Sequence, residues 1–151
     1  MNAFALLRAD HERVVGMLEI IENSTEVAGN GRDELFSRLK DELDLHAKIE
    51  EEIFYPALEE TEETREITLE AYEEHRFVKE LLSELEVEPK DTGEWTAKFT
   101  VLKENVEYHV EEEEGEMFKK AREVLSEEEF ELLGDRIQEA KRQAIISSLL
   151  A

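Results

Sequence analysis

The four histidines of the chain, His11, His46, His75 and His109, each fall in a different amphipathic stretch. Two are followed four residues later by a glutamate: His46 by Glu50, and His109 by Glu113. On a helix, four residues advance about 40° beyond a full turn, so each His and its Glu point the same way. The pattern also repeats. His11 lies 35 residues before His46, and His75 lies 34 before His109, so each half reads as one His and then HxxxE. The flanking text is alike, HAKIEEEIF in one half and HVEEEEGEMF in the other. Two helical hairpins related by a pseudo-twofold axis would converge six donors on one point.

A single His in an apolar stripe is usually a hydrogen-bonded core residue, and a single HxxxE is usually a solvated salt pair. The joint pattern is different. Glu50 and Glu113 would each bury a carboxylate in the seam, with no Lys or Arg at a seam position to pair with them. An unpaired buried carboxylate costs several kcal/mol or shifts its pKa until it is neutral, and a bound metal removes that penalty. Imidazole and carboxylate without thiolate suit Fe, Mn or Zn, whereas Ca and Mg prefer oxygen alone. Six ligands exceed one tetrahedral zinc. Two metals, each with two His and sharing two bridging carboxylates, use all six and keep positions for an oxo or hydroxo bridge and an outside ligand. Octahedral iron fits that count best. The expected ligands are His11, His46, Glu50, His75, His109 and Glu113. Glu51 and Glu114, at plus five, are alternatives that point about 140° from the His. Histidine, with a reference pKa of about 6.5, would be the first ligand lost to protons, on the acid side of neutrality.

Helices must position these residues. Glu, Leu, Lys, Ala and Arg dominate, and only two prolines and six glycines interrupt them. The spacing predicts helices over about 2–22, 33–60 and 64–86, with Pro56 kinking the second and Pro89 following the third. Asn23-Ser24-Thr25 and Gly29-Asn30-Gly31 read as loop. Asp91 with Glu94 reads as a capping box opening a fourth helix to about 124, and Ser126 with Glu129 as one opening a fifth to about 149. The stripes are Phe4, Leu7, His11, Val14, Leu18; then Leu39, Leu43, His46, Glu50, Ile53, Ala57; then Ile67, Ala71, His75, Val78, Leu82, Leu85; then Trp95, Phe99, Leu102, Val106, His109, Glu113, Met117. Short loops make neighbours antiparallel, so the fold class is all-α: an up-down-up-down four-helix bundle over about 2–124 within a single domain, 1–151, plus a C-terminal helix over about 126–149. That fifth helix, with Phe130, Leu133, Ile137, Ala144, Ile145 and Leu149, either covers the bundle or makes a homodimer contact.

Composition narrows the function. Forty-one acidic residues against 18 basic give a net charge of -23, which disfavours nucleic acid and anionic membrane surfaces. No apolar run approaches the ~20 residues of a membrane span. The start lacks the pattern of a secretory signal, and the absence of Cys excludes disulfides, thiolate sites and a Cys nucleophile. A cytoplasmic location is the expectation. His11-Glu12 does not open a zincin motif, because position 15 is valine. The Glu111–Glu114 run reads as a solvated face with one or two members turned inward.

The order H…HxxxE…H…HxxxE, with DHERV around His11 and HAKIEEEIFYPAL on the second helix, resembles the hemerythrin-like (HHE cation-binding) domains over about residues 1–122. The resemblance implies a non-haem centre of two oxo- or hydroxo-bridged irons inside the bundle, held by the same six residues and able to bind dioxygen, hydrogen peroxide or nitric oxide. The oxygen-carrying hemerythrins use five His, with HxxxH on the third helix, and an Asp five residues after the last His. Here Ala71 and Lys79 flank His75 at that spacing, and the last carboxylate is Glu113 at plus four. The missing His opens a coordination position and favours redox turnover over reversible oxygen carriage. The chain looks closer to the bacterial branch for which peroxide decomposition or nitric-oxide chemistry is proposed.

The expected activity is therefore that of a di-iron oxidoreductase, catalase- or peroxidase-like. Tyr55, in the FYPAL segment, and Tyr72, three residues before His75, are candidates to hydrogen-bond a bound ligand or donate a proton, or else packing residues. Tyr108 should point away. The competing class is non-catalytic binding, storage or sensing of dioxygen or iron. Sensors usually carry a signalling domain, and this chain runs only about 25 residues past the bundle. A metal-free structural bundle is the third class.

Overall fold

The computed structural model describes residues 2–24 and 30–150, which are helical apart from short connections; no strand occurs among them. Helix α1 spans Ala3–Glu22 and is capped by the Asn2 side chain, which accepts from the Phe4 and Ala5 amides. Helix α2 has three parts: Asn30–Ile49, a wider π turn Glu50–Phe54, and Tyr55–Glu59. Helix α3 spans Glu62–Val87. Helix α4 repeats the plan of α2, with Gly93–Glu112, a π turn Glu113–Met117, and Phe118–Val124. Helix α5 spans Glu127–Leu150.

Each of α1 to α4 packs on its sequence neighbours and α1 closes on α4, while α5 lies outside against α1 and α2. This is the expected bundle with a fifth helix. Two apolar clusters fill it. One holds Phe4, Phe54, Leu58, Met117, Phe118 and Ile137; the other holds Leu18, Phe36, Leu39, Leu82, Trp95 and Phe99. His11, His46, Glu50, His75, His109 and Glu113 are all buried between the apolar residues of the four helices. Leu133 and Ile137 of α5 are buried, but Ile145 and Leu149 are 63% and 80% exposed, so the end of that helix, from Ile145 on, stands clear of the bundle.

Three local expectations need correction. Thr25 and Gly29 lie outside the described residues, but Asn30 and Gly31 are already helical. The first turn of α2 is held by Arg32, which is 2% exposed, sits 4.5 Å over the Trp95 ring and donates to the Lys90 carbonyl. This contact outweighs the poor helix propensity of Gly31. Second, Thr92 rather than Asp91 caps α4. Its hydroxyl donates to the Pro89 carbonyl and accepts from the Trp95 amide at 3.1 Å, a double role that a carboxylate lacks. Third, the irregularity near Pro56 is the π turn, and proline is not its cause. The same turn occurs in α4, where Lys119 stands at the position equivalent to Pro56. By contrast the Ser126–Glu129 box forms as read, with both reciprocal bonds.

Thr92→Ala should therefore cost about 1 kcal/mol of stability, and Asp91→Ala should stay within about 0.5 kcal/mol of the parent. Urea denaturation of the two variants checks the assignment, and the reverse order would restore Asp91 as the cap.

Candidate metal centre

The six residues singled out by spacing come together at the middle of the bundle. His11, His46, Glu50 and Glu113 place one donor atom each within 4.8 Å of the others, and Glu50, His75 and His109 form a second such group. His11 Nε2 and His46 Nε2 are 3.1 Å apart, and His75 Nε2 and His109 Nε2 are 3.2 Å apart. Glu50 Oε1 lies 3.1 Å from both His46 Nε2 and His75 Nε2, so it belongs to both groups. Glu113 reaches His11 Nε2 with Oε1 at 3.1 Å and His109 Nε2 with Oε2 at 3.2 Å. Each carboxylate thus touches a histidine from each hairpin.

The outward ring nitrogens are held too. His46 Nδ1 bonds Asp10 at 2.9 Å, and His109 Nδ1 bonds Glu74 at 2.5 Å. His75 Nδ1 bonds Glu51 at 2.8 Å, and His11 Nδ1 bonds Glu114 at 2.6 Å. The arrangement obeys the pseudo-twofold. The acid just before each lone His grips the His of its own hairpin, and the acid just after each inner Glu grips the lone His of the other hairpin. A carboxylate on Nδ1 fixes the ring and the tautomer, leaving the Nε2 lone pair facing inward. By spacing, Glu51 and Glu114 were only substitutes for the inner ligands. They instead orient histidines. The roles of Asp10 and Glu74 were missed, although an acid precedes His11 and His75 in both halves, a repeat visible in the text.

Tyr55 also enters the site. Its hydroxyl donates to Glu113 Oε2 at 2.5 Å and lies 3.1 Å from Glu50 Oε1 and 3.2 Å from both His75 Nε2 and His109 Nε2. In a regular helix Tyr55 would point about 140° from Glu50. The π turn brings it round, because the Tyr55 amide donates to the Glu50 carbonyl, five residues back. Its counterpart in α4 is Phe118, which stacks on Phe4 instead, so the hydroxyl breaks the symmetry. Tyr72 stays outside. Its ring packs edge-on against Tyr55 and its hydroxyl reaches the Glu51 carbonyl at 3.4 Å. Tyr108 is 57% exposed and points away. Ala71 and Lys79 contribute no donor to the centre; Lys79 pairs with Glu51.

The donor set fits a metal pair. Two pairs of Nε2 atoms face each other across distances at which two lone pairs repel. Among the described residues, the buried Glu50 Oε2 and Glu113 Oε1 receive no hydrogen bond. Metal ions between these atoms would satisfy all of them.

Protons are the competitor. Burial alone would lower the His46 pKa, but Glu50, Asp10 and Glu113 raise it to about 10. Burial opposes charge on His11, His75 and His109 as well, yet their carboxylate partners raise all three, His109 most clearly. Burial would raise Glu50, but His46 and its neighbours hold it well below the usual range. For His46 the raised pKa stabilises the metal-free fold fully below about 6.5, and this contribution is lost as pH rises through about 10. The proton-sensitive window therefore extends above neutrality, not only to its acid side.

Residues 2–121 match the family model described as the hemerythrin HHE cation binding domain. An uncharacterized protein of Mycobacterium tuberculosis, Rv2633c, is 30% identical over 138 residues, covering 91% of this chain and 83% of that protein. A DNA nickase of Nostoc is 28% identical over 141 residues, but these make up 39% of its length. The crystal structure of an HHE cation binding domain-containing protein from Mycobacterium kansasii, a homolog of Rv2633c, is similar with a TM-score of 0.79 and 28% identity, covering 97% of this chain and 91% of that one.

Two outcomes are expected. The melting temperature of the iron-loaded protein should exceed that of the metal-free protein, with the gap widening between about pH 6.5 and 10; calorimetry reads this, and a gap independent of pH would contradict the proton competition. Glu50→Ala or Glu113→Ala should abolish binding of a metal pair, whereas Glu51→Gln or Glu114→Gln should weaken affinity by about 10–100-fold and leave the stoichiometry intact. The opposite ranking in a metal titration would reverse the assignment of inner and outer carboxylates.

Proposed function

The chain belongs to the hemerythrin HHE cation-binding domain family, and from that premise we propose that it is a non-haem di-iron protein that decomposes hydrogen peroxide. The observation that carries the reading is the pairing of four inward Nε2 atoms across two shared, buried carboxylates. Imidazole and carboxylate donors without thiolate suit iron, and two histidines with two shared carboxylates would leave each ion positions for an outside ligand. Iron at this site would supply the electron relay that lets one peroxide be reduced to two waters while another is oxidised to dioxygen.

The residues supply the rest. A cavity lies against all four histidines, walled by aliphatic residues that include Val14, Leu43, Val78, Leu82, Val106 and Val110, with Asp44 and Lys79 also lining it. About 40 Å³ of it accepts water-sized occupants. A water needs about 10–15 Å³, so the space suits a ligand the size of peroxide, dioxygen or nitric oxide. Tyr55 is positioned to hold and pass a proton. Burial and the neighbouring Glu113 and Glu50 push its pKa well above the usual value, so the phenol keeps its proton and donates it to Glu113. Two protons must move from the peroxide that is oxidised to the one that is reduced, and Tyr55 with Glu113 is the pair placed to carry them.

The aliphatic walls favour a second reading, reversible binding of dioxygen or nitric oxide without turnover. Nickase activity, which the name of the longer Nostoc protein suggests for that protein, fits poorly with a net charge of -23 here. No described helix is long and apolar enough to cross a membrane.

Iron-loaded protein should evolve dioxygen from peroxide above a free-iron control. Tyr55→Phe should lower turnover by about 10²-fold or more while keeping the metal. No dioxygen above the control, with stable reversible oxygenation of the reduced protein, would replace catalysis by carriage.

A further inference from the structure

The outer carboxylates obey the pseudo-twofold, but what holds them does not. Asp10, 2% exposed, gives one oxygen to His46 Nδ1. Its other oxygen, Oδ1, accepts from Lys141 Nζ of α5 and from Arg13 at 2.7 Å. Helix α5 begins at Glu127, beyond the residues 2–121 that match the family model, so a side chain from outside the matched bundle reaches within two contacts of a metal-ligating ring. Glu74, the counterpart of Asp10, has no such support. Among the described residues Glu74 forms no ion pair with a Lys or Arg, and the acids Glu112 and Glu70 lie in its neighbourhood.

A carboxylate rotates freely about its last bond unless both oxygens are engaged. With Oδ1 held by Lys141, Oδ2 faces His46, and the bond from Nδ1 then aims Nε2 at the centre. Arg13 alone is a poor substitute, because it is half exposed and also pairs with Glu42 at 3.4 Å. Without Lys141 it would draw Asp10 outward.

We infer that Lys141 is a positioning residue, and that through Asp10 and His46 it makes the His11/His46 metal position depend on the C-terminal helix while the His75/His109 position does not. The inference rests on the two-metal reading above and extends it: the two ions are held unequally, and the difference comes from α5.

The test uses the full chain loaded with iron and follows release to an excess of chelator. In Lys141→Met, one iron per chain should leave about 10-fold faster than in the parent, and the other at the parental rate. Lys141→Arg should restore the parental trace, since a guanidinium can also hold Oδ1. Ile137→Val, a packing change on the same helix, should lower the melting temperature without singling out one iron. Parental release of both irons from Lys141→Met, or equal acceleration of both, would overturn the role of Lys141 and leave the two-metal site standing. If the parent chain takes up no metal pair at all, the site reading fails first and this inference with it.

Discussion

Glu50 and Glu113 are the constraint on which the rest of this molecule depends. Two carboxylates sit at 0% and 1% exposure in the middle of a helical bundle. Charge in such a place must be neutralised, or the fold loses several kcal/mol per group. Four imidazoles, one from each helix, surround them, and four outer carboxylates orient those imidazoles. Each layer answers the demand of the one inside it. Metal-free, the cluster shares protons among its carboxylates and imidazoles; a bound metal pair would take the same atoms as ligands and displace those protons. Folding, metal affinity and pH are therefore coupled through one set of contacts.

The hairpins are clasped as well as packed. Glu51 of the first hairpin grips His75 of the second, and Glu114 of the second grips His11 of the first. The π turns after Glu50 and Glu113 occur at equivalent places in both. A π turn adds a residue to the helical repeat and re-aims everything beyond it. In α2 the residue re-aimed onto the centre is Tyr55, and in α4 it is Phe118, which remains in the apolar cluster. The site is thus built on a symmetric frame with two asymmetric additions, the Tyr55 hydroxyl on one side and the Lys141–Asp10 contact on the other.

Much of this was legible in the sequence because helix periodicity is regular. Phe4, Leu7, His11, Val14 and Leu18 are all buried as their spacing requires, and so is the stripe from Trp95 to Met117. The convergence of the six donors follows from the same arithmetic. What was not legible depends on departures from regularity or on contacts between distant residues. Tyr55 was a candidate for the site on its sequence position, but the choice between site and packing stayed open because regular helix geometry turns it away and only the π turn brings it in. Glu51 and Glu114 were rightly set apart from Glu50 and Glu113, but the reach of each to a histidine of the other hairpin is tertiary. Arg32 at the start of α2 and Lys141 on α5 are charged residues whose partners lie far along the chain, at Trp95 and Asp10. No local pattern encodes either pairing.

Anomalous diffraction at the iron edge from crystals of the iron-loaded protein would locate the metal outright. Two iron peaks per chain are expected, one between His11 and His46 and one between His75 and His109, with Glu50 and Glu113 reaching both. A single peak, a pair of peaks away from these residues, or no iron at the centre would contradict the two-metal reading.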